Sequence, residues 1–184
     1  MVRLAMSLSA LTLFAKKGFA SVAKEPIPPL DLSFIPRDVR LKRRSEWTSF
    51  QPRPWLLREA SRYNRITFHH SGAFNEDVET GDVVQSISGI LVSHIKRGYG
   101  DIGYHFVIDF GGCVWEGRSL VYEGAHVLLE NANNIGIMLI GNYETQTPTD
   151  AQMDSVKKIT DVLSGKFNVS RKRIFGHRDL GKTL

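Results

Sequence analysis

A single cysteine, Cys113, stands in the 184 residues, so no intrachain disulfide can staple the fold. Repeats and low-complexity tracts are missing too, which excludes solenoids, collagen-like chains and long coiled coils. No apolar stretch reaches the roughly 20 residues that span a bilayer. Neither His-Glu-x-x-His nor Cys-x-x-Cys occurs, so spacing alone identifies no metal site. With 42% hydrophobic residues, the chain can fill one ordinary core.

The excess of positive charge is confined to one end. Residues 1–58 hold 11 Lys or Arg against 4 Asp or Glu, whereas residues 59–184 hold 13 against 15. A nucleic-acid partner calls for a basic face on the folded body, and this distribution argues against one. The first 23 residues begin with Arg3, run mostly apolar from Leu4 to Ala15 and end in Ser21-Val22-Ala23. That is the layout of a signal peptide with a small-residue cleavage site, although Lys16 and Lys17 interrupt it. Export to the periplasm or the extracellular space is therefore expected, without a stable membrane span. Residues 24–44 combine Pro26, Pro28, Pro29 and Pro36 with the basic run Arg40 to Arg44. They show no period and read as an extended linker. The folded domain is expected over residues 45–184, as a monomer.

Within that domain the hydrophobic pattern alternates between two periods. "RITFHHS" at 65–71 is a β-branched and aromatic run closed by polar residues, which predicts a buried strand. From Asp82 to Arg97, Val83, Val84, Ile87, Ile90, Leu91 and Ile95 recur at three- and four-residue steps, which predicts an amphipathic helix. "YHFVIDFGGCVWEG" predicts a hairpin turning at Gly111-Gly112, with Cys113 as a small buried residue. "NIGIMLIGNY" at 134–143 is apolar on both parities and predicts a central strand. Thr149 with Gln152 three residues on forms a capping box. Met153, Val156, Ile159, Leu163 and Phe167 then make the buried stripe of a second helix. "RKRIFGH" predicts a last strand. The fold class is α/β, a central mixed β-sheet flanked by α-helices.

Two histidines, His69 and His177, stand at ends of predicted strands, where loops gather. A lone histidine in such a place is more often a structural hydrogen-bonder than a ligand. The ordered set "SEWT", "ITFHHSG", "RGYGDIGYHFVID", "GCVWEGRSLVYEGAHV", "NNIGIMLIGNY", "PTDAQ" and "IFGHRDLGKT" changes that balance. In order and approximate spacing, it resembles the peptidoglycan recognition proteins and the related phage-lysozyme-type, zinc-dependent N-acetylmuramoyl-L-alanine amidases.

The resemblance implies a Zn2+ cofactor held by His69 and His177. It implies that Tyr104 binds the substrate carbonyl and steadies the oxyanion, with Thr183 as a second donor beside the metal. It puts the third ligand, a cysteine or aspartate, eight residues after His177, at position 185, one past Leu184. The expected substrate is peptidoglycan. Arg118 resembles the arginine that takes the carboxylate of diaminopimelate, for which a guanidinium fork is apt. Gly98-Tyr99 falls where the family selects stem-peptide type and leans toward diaminopimelate. His126 and Asn134 match groove positions. His70, on the other side of the strand from His69, completes the set of substrate-binding candidates. The cysteine pair of animal family members has no counterpart, which favours an enzyme of bacterial type. The resemblance leaves two functions open: hydrolysis of the bond between N-acetylmuramic acid and L-alanine, or capture of peptidoglycan without cleavage because the metal site is incomplete.

Overall fold

The computed structural model describes residues 30–72 and 82–180. The expected signal peptide at 1–23 and Thr183 lie outside the described residues. Six strands form one mixed sheet in the order β1-β4-β3-β5-β2-β6. In chain order they are β1 (Leu41–Lys42), β2 (Arg65–His70), β3 (Phe106–Ile108), β4 (Val114–Glu116), β5 (Asn134–Leu139) and β6 (Ile174–Gly176). Helices α1 (Val83–Lys96) and α2 (Asp150–Phe167) and the short α3 (His177–Leu180) complete the fold.

The pairing follows from the side-chain pattern. All six residues of β5 are buried, as its two apolar parities require, and β5 lies between β3 and β2. β5 runs parallel to β2 over six residues, from Arg65 opposite Asn134 to His70 opposite Leu139. β6 runs parallel to β2 on its other side. β3 and β4 are the antiparallel hairpin, turned by Gly112 at φ +75°. Asp109 fixes that turn: its carboxylate accepts from the Cys113 N–H and from Trp115 Nε1, both at 2.8 Å. Cys113 itself is half-buried.

One face of the sheet packs Ile66, Phe106, Ile135 and Ile137 against Ile159 and Leu163 of α2. The other packs Val107, Trp115 and Met138 against Ile87 and Leu91 of α1. The capping box of α2 forms, with Gln152 N–H donating to Thr149 Oγ1 at 3.1 Å and Thr149 N–H donating to Gln152 Oε1 at 3.0 Å. Met153 departs from the expected stripe: it is 49% exposed, so the stripe is narrower than the sequence period suggested.

The described part of the expected linker, residues 30–44, is not a linker. Leu32, Ile35 and Val39 are buried in the α2-side core, and Leu41–Lys42 adds β1 to the sheet beside β4. The basic run is likewise engaged, since Arg44 pairs with buried Asp101 at 2.8 Å and Arg43 with Glu116 at 3.1 Å. The prolines hide this in the sequence by breaking any period, although the apolar residues between them are those of a core.

Two histidines are built into the fold as neutral rings. His105 is fully buried; its Nδ1 accepts from the Gly136 N–H at 3.0 Å, and its Nε2 donates to the Tyr122 carbonyl at 3.0 Å. His94, on α1, accepts from the Gly103 N–H at 2.8 Å. Burial pushes their pKa values down to about 3 and about 4, and nearby arginine charge adds to the effect.

Two outcomes are expected. Leu32→Ala, read by urea denaturation, lowers stability by about 2–5 kcal/mol, where a residue in a solvated linker would show no loss. Stability also falls with acidification: above about pH 6.5 both rings are neutral in folded and unfolded chain alike. Below it, the unfolded chain takes up protons that the folded chain refuses until about pH 4. Denaturation midpoints that stay flat from pH 7 to 5 would contradict this.

Candidate functional site

Strands β3, β5, β2 and β6 run parallel, and the carboxyl ends of β5, β2 and β6 open a crevice at one edge of the sheet. β2 delivers His69 and His70 there, and β6 leads directly into His177, the first residue of α3. Asp179 holds that corner by accepting from the Gly176 N–H at 2.8 Å, and Arg178 pairs with Glu144 at 2.8 Å. The crevice is a cavity of about 640 Å³. Its polar wall is His69, His70, Tyr104, His126 and His177, and its apolar floor includes Phe68, Leu139 and Val156.

His69 is the hub. Its ring lies 4.7 Å from that of His177, 4.9 Å from that of His126 and 5.2 Å from that of Tyr104. The hydrogen bonds settle which nitrogens are protonated. His126 Nε2 lies 3.2 Å from the Asn134 carbonyl, which can only accept, so Nε2 carries the proton and Nδ1 is bare. That bare Nδ1 is 2.9 Å from His69 Nε2, which must therefore be the donor. His69 Nδ1 is left as a lone pair with no hydrogen-bond partner among the described residues. His177 Nδ1 is buried and without a partner as well.

Burial, with His126, His177 and His70 adding to it, pushes the His69 pKa down to about 2, and burial takes His126 to about 3. Both rings are neutral at pH 7, the state in which imidazole binds a cation. The donor set fits a divalent ion that accepts nitrogen ligands: two adjacent imidazoles, each with an unused Nδ1, one of them an orphaned buried atom. Among the described residues no group of three His, Cys, Asp or Glu side chains gathers around one point.

Tyr104 is the third ring beside His69. Burial raises the pKa of its phenol and keeps it protonated, so its hydroxyl can donate. The Tyr104 ring lies 5.7 Å from His94, and His94 lies 5.0 Å from Tyr99, whose ring sits under the Arg97 guanidinium at 5.5 Å. A row of aromatic rings thus runs from His69 outward to Tyr99.

Three sequence-derived candidates do not line the cavity: Tyr99, at the outer end of the aromatic row, Arg118 and Asn134. Arg118 is 4% exposed, and its guanidinium donates to the carbonyls of Ile102, Glu123 and Asp101. It is a brace between loops, each of its three nitrogens bonded to a backbone carbonyl, and it is buried away from the cavity. The Asn134 side chain is fully buried, bonded to Thr67 Oγ1 at 2.9 Å and the Glu130 carbonyl at 2.9 Å. Its connection to the site is its carbonyl, which holds His126. His70 lines the cavity from the α2 side, with Nδ1 accepting from the Tyr143 N–H at 2.9 Å. The sequence reading missed His94 and Tyr143. The signal for His94 was a polar residue on the buried stripe of α1, in step with Ile87 and Leu91.

Comparison with known proteins identifies the family and the fold. The family model described as N-acetylmuramoyl-L-alanine amidase matches residues 59–183. Peptidoglycan-recognition protein SC2 of Drosophila simulans is 35% identical over 126 residues, 67% of this chain and 68% of that protein. A mutant of Drosophila PGRP-LB in complex with tracheal cytotoxin superposes with a TM-score of 0.69 at 28% identity, over 78% of this chain and 86% of that one. The amidase LysC of Clostridium intestinale superposes with a TM-score of 0.62 at 25% identity, over 78% and 85%. Animal recognition proteins and a bacterial amidase thus share this sheet, and the chain belongs to the N-acetylmuramoyl-L-alanine amidase family, together with the peptidoglycan-recognition proteins.

Proposed function

We propose that this chain hydrolyses the amide joining the lactyl group of N-acetylmuramic acid to L-alanine in peptidoglycan, with a zinc ion bound by His69 and His177. The observation that carries the reading is the pair of unused Nδ1 atoms, His177's buried and orphaned, in a cavity beside a protonated tyrosine. A zinc ion held there supplies a Lewis acid and lowers the pKa of a bound water to about 7.

The chain's own residues then have separable tasks. His69, kept neutral by burial, presents Nδ1 without first losing a proton, and His177 presents its own unpartnered Nδ1. Tyr104 donates from its hydroxyl to the substrate carbonyl oxygen, an interaction that strengthens as negative charge grows there. Thr183, outside the described residues, is proposed as a second donor. His70 lines the cavity that orients the stem peptide, and Tyr99, at the outer end of the aromatic row, carries the lean toward diaminopimelate. The substrate requires export, for which residues 1–23 are the proposed signal. No helix among the described residues is long and apolar enough to cross a membrane.

A second reading is capture of peptidoglycan fragments without cleavage. It is favoured by the lack of a three-ligand group among the described residues. The two separate in one experiment, in which the full chain with added zinc is incubated with purified cell wall and new amino-terminal alanine is measured. Hydrolysis predicts zinc-dependent release that is abolished in His69→Ala. Retention on the wall with no release supports capture, and neither release nor retention overturns both readings. For an active chain, Tyr104→Phe lowers kcat about 10²–10³-fold with little change in KM. An unchanged kcat would remove Tyr104 from the chemistry.

A further inference from the structure

His126 occupies a tightly constrained position in the crevice. Its backbone N–H donates to Asn131 Oδ1 at 2.8 Å. Its ring fits a slot between two backbones: a Cβ added at Gly124 or at Gly136 would come within 2.4 Å of His126 Cδ2. Real Cβ atoms do not approach so closely, so any side chain at either position would push the ring out. The Asn134 carbonyl that receives the Nε2 proton belongs to β5, and the Asn134 side chain is itself tied to Thr67 on β2. The ring is thus held between the two backbones and anchored to β5.

We infer that His126 is a positioning residue that dictates which nitrogen His69 offers to a metal: it holds the His69 Nε2–H and leaves Nδ1 as the ligating atom. The logic is a relay of donor and acceptor roles. The β5 carbonyl accepts from His126 Nε2–H, bare His126 Nδ1 accepts from His69 Nε2–H, and His69 Nδ1 is left bare. The His69 ring is also oriented by that bond, so Nδ1 is presented on the side away from His126. The inference rests on the zinc reading for its function. Its structural half, the tautomer of His69, stands independently of whether zinc binds.

The test uses the full chain, first without metal. Long-range proton–nitrogen correlation spectra of the imidazoles should show His69 with a protonated Nε2 and a bare Nδ1; a protonated Nδ1 overturns the inference. Zinc affinity is then measured by competition with a chromophoric chelator for the wild type, His126→Leu and His126→Asn. Leucine removes the acceptor, whereas the asparagine oxygen replaces it near the position of Nδ1. Affinity should fall about 10–100-fold in His126→Leu and recover most of that loss in His126→Asn. Circular dichroism shows whether each variant folds; if His126→Leu does not, the wild-type tautomer and His126→Asn decide. A folded His126→Leu with wild-type affinity overturns the inference. A wild type that binds no zinc overturns the metal reading alone, because the His69 nitrogen shifts still report the relay.

Discussion

The six-residue parallel pairing of β2 with β5 is the constraint on which the rest of the site depends. It sets His69 opposite Met138 and Thr67 opposite Gly136, and so fixes the height of His69 above the core. The same pairing supplies Gly136 as one wall of the His126 slot and the Asn134 carbonyl as its anchor. A slip of one residue would send His69 to the α2 side and bring His70 or Phe68 in its place. The site is therefore encoded in strand register as much as in the identity of its histidines.

Burial makes the neighbouring imidazoles compatible. Charged rings less than 5 Å apart would repel strongly, and removing them from water would cost more still. The site resolves this by keeping His69 and His126 neutral and letting one donate to the other. Arg118 and Asn134, which resemble substrate contacts in the sequence, are consumed in bracing the loops that carry Tyr104 and His126. Under the proposed function, recognition then falls to the aromatic row that ends at Tyr99 and to the α2 side of the cavity.

Much of this was legible in the sequence, and the reasons are local. The β-branched and aromatic run "RITFHHS", the capping pair Thr149 and Gln152 and the Gly-Gly hairpin each state their structure within a few residues. What was not legible depends on contacts distant in sequence. Residues 30–44 read as a linker because their core contacts come from α2, more than a hundred residues away, and prolines mask the apolar spacing. Arg118 read as available because its three acceptors are backbone carbonyls, which carry no side-chain signature. His126 matched a groove position, but its hold on His69 arises only when β5 is laid beside β2.

The central claim is that His69 and His177 meet through their Nδ1 atoms around a zinc ion. Anomalous diffraction at the zinc edge from zinc-loaded crystals tests it most directly. The account predicts a single strong peak about 2.0–2.1 Å from both Nδ1 atoms, with the His69–His126 hydrogen bond intact. A peak bonded to His69 Nε2, or no peak in this cavity, would contradict it.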